Sequence, residues 1–247
     1  MKGLAIWPGR HEWWLLWWLA VIFGLQLGLM NIGYSMTEGT VAAVLTATYP
    51  MFGAVLAHFV FPDDRLTLVK SLGLLVAFTG VSGILLRAQE VGALGWIDLG
   101  SLVVLAHAAL LGARLVYSAK LVRGMEPARV VLWQMILSLP FFALLGWMFE
   151  EIHWPALGPA PIIGLLYQGI VIAGFGFMMS TYLMRRYSPT LMFSFGFVSP
   201  IVGVALSLWL LDEQLTPAIV AGVLGVAIGL VLIAWHRDSV VAHNPSG

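Results

Sequence analysis

Apolar stretches close to twenty residues long follow one another along this chain, separated by short polar breaks. A helix that crosses the hydrocarbon core of a bilayer needs about 20 mostly apolar residues. Eight stretches meet that length: 13–34, 40–61, 67–86, 96–120, 130–149, 162–182, 189–211 and 217–235. None of the breaks is long enough to hold a soluble domain. Sustained polar–apolar alternation of the barrel type is missing, which argues against strands. The pattern predicts an all-α polytopic membrane protein with about eight transmembrane helices.

Composition agrees with the pattern. Hydrophobic residues make up 60% of the 247 and charged residues 10%, against about 25% charged in ordinary soluble domains. The formal net charge is zero, so no basic surface points to nucleic acid. There are no cysteines, which excludes disulfides, zinc–cysteine sites and iron–sulfur clusters. Lys2 and Arg10 precede the first stretch. Its length and the lack of a small-residue cleavage site predict a retained anchor, not a removed leader.

Lys and Arg orient the spans. With the N-terminus in the cytoplasm, the inner segments hold Lys2, Arg10, Arg65, Lys70, Lys120, Arg123, Arg129, Arg185, Arg186 and Arg237, and the outer segments hold only Arg87. Both termini are therefore expected in the cytoplasm.

The second and third stretches resemble the seventh and eighth. At a spacing of 150, Thr40, Pro50, Gly53 and Leu56 match Thr190, Pro200, Gly203 and Leu206. At 149, Leu66, Thr67, Gly73, Leu75, Gly80 and Ile84 match Leu215, Thr216, Gly222, Leu224, Gly229 and Ile233. The copies lie five spans apart, an odd number, so they enter the membrane in opposite directions. An inverted repeat of this kind is typical of secondary transporters. The expected division is an incomplete first repeat of three helices, 13–86, and a complete second repeat of five, 96–235. Two helices of the first unit are expected to be missing before residue 13.

Tyr187-Ser-Pro-Thr through Ser199-Pro200 to Leu211-Asp-Glu-Gln-Leu-Thr216, followed by glycines 222, 225 and 229, resembles the second repeat of EamA-type transporters in the drug/metabolite transporter superfamily. Thr40 through Pro50 to Asp64-Arg-Leu-Thr67 resembles the end of the first repeat, and Leu165-Leu-Tyr-Gln-Gly169 the start of the eighth family helix. The resemblance implies a ten-helix fold of two inverted halves in the inner membrane. It also implies gradient-driven transport of amino acids or other metabolites by alternating access, with export as the expected direction. The partners implied are a small solute, the lipid bilayer and, as a further candidate, a second copy of the chain.

Several residues stand out against the apolar background, each with two readings. Pro50 and Pro200 are mid-span, where proline frees a carbonyl and serves as a hinge beside a substrate; prolines are also ordinary in membrane helices. His107 is a substrate contact or proton-coupling group, or a neutral histidine bonded to a neighbouring helix; His58 has the same two readings. Arg114 shares a helix face with His107 and meets a substrate carboxylate or snorkels to the headgroups. Gln134, Tyr167, Gln168, Ser194 and Asn31 line a pocket or bond between helices. Gly24, Gly28, Gly73, Gly80, Gly222, Gly225 and Gly229 suit close helix packing. Asp64 and Glu213 just precede helix starts, where a negative charge suits the dipole. The tryptophans at 13, 14, 17 and 18 read as an interfacial belt.

No Walker loop, HExxH or GxSxG is present, so neither ATP-driven transport nor an intramembrane hydrolase is indicated. No enzyme activity, cofactor or metal is expected. The alternatives to a transporter are a truncated, non-transporting fragment of one and, behind it, a membrane assembly subunit or enzyme.

Overall fold

The computed structural model describes residues 7–37, 39–87, 99–149, 158–199, 202 and 217–241. Among these the regular structure is entirely helical. In chain order the helices are α1 (Arg10–Met36), α2 (Gly39–Thr46), α3 (Tyr49–Val60), α4 (Leu68–Arg87), α5 (Leu99–Leu121), α6 (Pro127–Phe149), α7 (Pro159–Leu166), α8 (Phe177–Met184), α9 (Pro189–Ser194) and α10 (Pro217–Val241). A π-helical stretch, Tyr167–Gly176, joins α7 to α8, and a 3-10 turn, Phe195–Phe197, extends α9. Every one of the eight expected spans contains helix. The second is divided into α2 and α3, and the seventh is described only as far as residue 199, then at 202. Arg10–Met36, Leu99–Leu121, Pro127–Met148 and Pro161–Met184 are each long and apolar enough to cross a membrane, and shorter apolar helices accompany them. The molecule is an all-α polytopic membrane protein.

The chain forms two compact units, Met1–Gly28 with Tyr117–Tyr187, and Leu29–Val116 with Ser188–Gly247. In the first unit α1 buries Leu16, Leu19, Ala20 and Phe23, a stripe at helical spacing. Phe23 meets Phe142 and Phe177 edge-on, at 5.7 Å and 6.3 Å. Gly24 lies so close to Phe141 that a Cβ there would fall 2.5 Å from the ring, whereas Gly28 has room, with Leu145 at 3.7 Å. Trp14 and Trp17 stack, Trp18 meets both edge-on, and all three stay exposed. Along α7 and the start of the π stretch, residues 161–172 are all exposed.

The second unit is organised by α4 and α10. A Cβ on Gly73 would lie 2.8 Å from the Gly229 carbonyl oxygen, and one on Gly229 would lie 2.5 Å from the Gly73 oxygen. A Cβ on Gly80 would lie 2.7 Å from the Gly222 oxygen and 3.3 Å from the Gly225 carbonyl carbon. An early glycine of one helix therefore faces a late glycine of the other, and the helices run antiparallel. Ala54, Leu74, Ala77, Val81, Phe197, Val226 and Ile233 form the buried cluster around the contact. The repeat spacing equates Gly73 with Gly222 and Gly80 with Gly229. Exchanging the residues related by that spacing turns the Gly73–Gly229 contact into the Gly222–Gly80 contact.

Within each unit, polar contacts tie the ends of helices together. In the first unit, Glu12 before the first span accepts two bonds from Arg129 before the fifth, at 2.8 Å and 2.6 Å. Glu126, in the turn after the fourth span, pairs with Arg185 after the sixth at 3.2 Å. In the second unit, Asp64 after the second span meets Thr190 at the start of the seventh.

Overpacking the α4–α10 contact has a predictable sign. Gly229→Ala or Gly80→Ala is expected to destabilise the protein by about 1–3 kcal/mol, because backbone must move to admit the methyl group. Gly164→Ala, where nothing lies within 4 Å, is expected to be neutral or slightly stabilising. Thermal unfolding of the purified variants in detergent measures the difference.

Candidate functional site

The second span is interrupted just before Pro50. Proline has no N–H, so the Thr46 carbonyl cannot receive the usual helical bond from residue 50. The chain tightens instead: Ala47 N–H still reaches Ala43 O at 3.0 Å, but Thr48 N–H turns to Leu45 O at 3.1 Å. The Thr48 hydroxyl donates to the same Leu45 oxygen at 2.6 Å. Pro50 then opens α3 and is buried. In the second copy the 3-10 turn Phe195–Phe197 falls on the equivalent of residues 45–47, at the spacing of 150. Pro200 itself lies outside the described residues. Both copies lose regular α-helix one turn before their proline.

Polar side chains of the second unit gather along α5 beside this break. His107 is 1% exposed, and its ring lies 6.1 Å from that of Tyr34, nearly perpendicular to it. The Tyr34 hydroxyl is 2.8 Å from the Thr46 hydroxyl, on the last residue of α2. Two turns further along α5, Arg114 is 8% exposed and interacts electrostatically with Tyr49, which opens α3. Gly112 is why α3 comes so near: a Cβ there would lie 2.7 Å from Gly53 N and 2.9 Å from Tyr49 O. The Tyr49 hydroxyl in turn occupies the space a Cβ on Gly196 would fill, and Phe193 packs on Gly53. Ser194 is fully buried and donates to Thr190 O at 2.7 Å.

The other sequence candidates fall elsewhere. Asn31 is exposed on α1. Gln134 is buried in α6 of the first unit. Tyr167 and Gln168 are exposed on the π stretch, Tyr167 by 56%. His58 accepts a bond from Leu66 N–H at 3.1 Å, which places it as a clasp on the turn after α3. Composition and spacing had left Tyr34, Thr46, Tyr49, Gly112 and Gly196 unremarked. The signals were present: Tyr49 adjoins the mid-span proline, and Gly112 shares the helix of His107 and Arg114. Among the described residues no group of three or more His, Asp or Glu could hold a metal ion.

A broken helix, a buried guanidinium, a buried imidazole and three hydroxyls, one of them on the exposed Tyr34, are groups that can bind a small polar solute. The EamA-like transporter family model matches residues 98–235, more than half of the chain. The chain belongs to that family. It is 22% identical over 221 residues to the uncharacterized transporter YoaV of Bacillus subtilis (strain 168), covering 87% of this chain and 73% of that protein. It is 23% identical over 229 residues to the uncharacterized transporter YvbV of the same organism, covering 90% and 72%. A crystal structure with 18% sequence identity superposes with a TM-score of 0.81 over 99% of this chain and 81% of that one, so the two share a fold. This EamA-family chain is an integral membrane protein and a membrane transporter.

The packing around Tyr49 separates two kinds of glycine. Gly112→Ala meets backbone on α3, and is expected to cost about 1–3 kcal/mol that no side-chain truncation recovers. Gly196→Ala meets the tip of one side chain, so Tyr49→Ala is expected to recover its cost in a double-mutant cycle. Unfolding of the four variants in detergent reads both outcomes.

Proposed function

We propose that this EamA-family chain is a secondary transporter that exports a small metabolite or amino-acid-like solute across the cytoplasmic membrane by alternating access. The observation that carries the reading is the pair of interrupted spans, broken within one turn of each other's equivalent position, at 47–48 before Pro50 and at 195–197 before Pro200. Discontinuous helices at matching places in inverted halves are where transporters of this architecture bind their substrates. Segments 13–86 and 96–235 are the two repeats, and both termini are cytoplasmic. The solute binds beside α5, where Arg114 meets its negative end and Tyr49, Tyr34, Thr46 and His107 supply hydrogen bonds. Gradient coupling through His107 is part of the proposal.

Two experiments test it. Purified protein in proteoliposomes is expected to exchange at least one member of a panel of labelled amino acids and small carboxylic acids. Arg114→Gln is expected to lower that exchange about tenfold or more, the cost of a lost charge-assisted bond, while Gly164→Ala keeps it. Exchange indifferent to Arg114→Gln and to an imposed pH gradient would remove both the site and the coupling. Because the chain has no cysteine, orientation needs only one introduced thiol. Arg123→Cys is expected to react with an impermeant maleimide in inverted vesicles and not in intact cells; the opposite pattern reverses the topology.

A further inference from the structure

We propose that the Asp64 carboxylate is a releasable latch, closing the start of α9 onto the α3–α4 turn in this state and letting go when the cytoplasmic side of the pathway opens. The proposal rests on the transporter reading above and adds to it the contact that the cycle must break.

Asp64 has no exposed surface. One of its oxygens accepts from Lys70 Nζ at 2.7 Å and the other from Thr190 N–H at 2.7 Å. Lys70, itself buried, also donates to Arg65 O at 3.2 Å. The carboxylate thus joins the turn that ends the second span to the first turn of the seventh, 126 residues away. The segment it holds is short. The six residues of α9 lead directly into the 3-10 turn; Phe193 of α9 packs on Gly53, and Gly196 of the turn lies under the Tyr49 hydroxyl. Any swing of the α9 start is therefore transmitted to Tyr49, and through it to Arg114.

The chemistry suits release. A buried ion pair gains in Coulomb energy roughly what it loses in hydration. Exchanging it for two hydrated ions is close to balanced, provided water reaches both. Asp64 and Lys70 sit at the ends of spans, where a small opening admits water. The α9 start also keeps a cap of its own, the Ser188 hydroxyl accepting from Leu191 N–H at 3.4 Å, so it stays helical when the carboxylate leaves. The α4–α10 contact behaves oppositely, because it is backbone against backbone and has no hydrated alternative. The repeat supplies independent support. It equates Thr190 with Thr40 and Asp64 with Glu213, so the acid and the threonine recur in both copies, as a contact used once at each face requires.

The test uses the full chain in membrane vesicles with one thiol at a time. Ser194→Cys reports access from the Asp64 side and Thr46→Cys from the opposite side. The charge-neutral variant Asp64→Ala/Lys70→Met is expected to raise impermeant-maleimide labelling of the Ser194→Cys thiol about tenfold and to lower that of the Thr46→Cys thiol. Asp64→Asn, which keeps an acceptor for Thr190 N–H, is expected to move both in the same directions by less. Labelling equal to the parent in both variants overturns the latch. A rise at both thiols also overturns it, because the contact is then only a structural cap. The parent reports separately on transport. Two thiols reached from opposite sides uphold alternation even if the latch fails, whereas two thiols reached from one side defeat the transporter reading itself.

Discussion

The structure of the second unit depends on one contact, the backbone-to-backbone approach of α4 and α10. Lipid tails are as apolar as leucine, so hydrophobicity does little to drive helices together inside a bilayer. What remains is van der Waals contact, which grows as backbones approach. Gly73, Gly80 and Gly229 permit that approach, and a Cβ at any of them would fall 2.5–2.8 Å from a carbonyl oxygen, which leaves no room for a side chain. Such a contact cannot slide by one residue without meeting a Cβ. It fixes register, and with it the places where the α3–α4 turn and the start of α10 stand.

Against that fixed pair the neighbouring elements are irregular. α2 ends three residues before α3 begins, and α9 passes into a 3-10 turn after six residues. The irregularity has a covalent cause, a proline N that cannot donate. Its effect before Pro50 is to place Tyr49, at the start of α3, where its phenol interacts with the buried Arg114. Non-helical backbone at membrane depth is tolerated where it is buried in protein or lines a wet cavity. Rigid packing by glycine and local unwinding by proline are thus complementary, and the same unit needs both.

Much of this was legible in the sequence, for physical reasons that differ by residue. The spans were legible because lipid imposes a length and an absence of charge. The glycines at 73, 80, 222 and 229 stood out through their spacing, seven apart in two copies, although their pairing across copies became visible only in three dimensions. The break before Pro50 was implied by the ring. The polar cluster was read only in part. His107 and Arg114 are conspicuous because ionisable groups inside spans are costly. Tyr34 is not, since a hydroxyl at a span end usually faces headgroups, and neither are Thr46 and Tyr49, whose neutral hydroxyls are cheap to bond inside a span. Tyr167 and Gln168 looked equally polar in sequence, and no periodicity distinguishes an exposed face from a buried one in a helix that is apolar all round.

Asp64 shows how a conventional local reading can be right and incomplete. An acid just before a helix is expected to favour that helix's N-terminus through the dipole, and Asp64 does precede α4. Its carboxylate nonetheless serves the N-terminus of α9, and it is Lys70, in the first turn of α4, that turns back to neutralise it. The sequence neighbour supplies the countercharge and the distant copy supplies the amide. A carboxylate used in this way couples two elements that the α4–α10 contact alone would leave independent. Because its ion pair is nearly balanced against hydration, the coupling adds order to one arrangement of the unit without forbidding another. The unit therefore holds contacts of two kinds, some too close to exchange and others exchangeable for water.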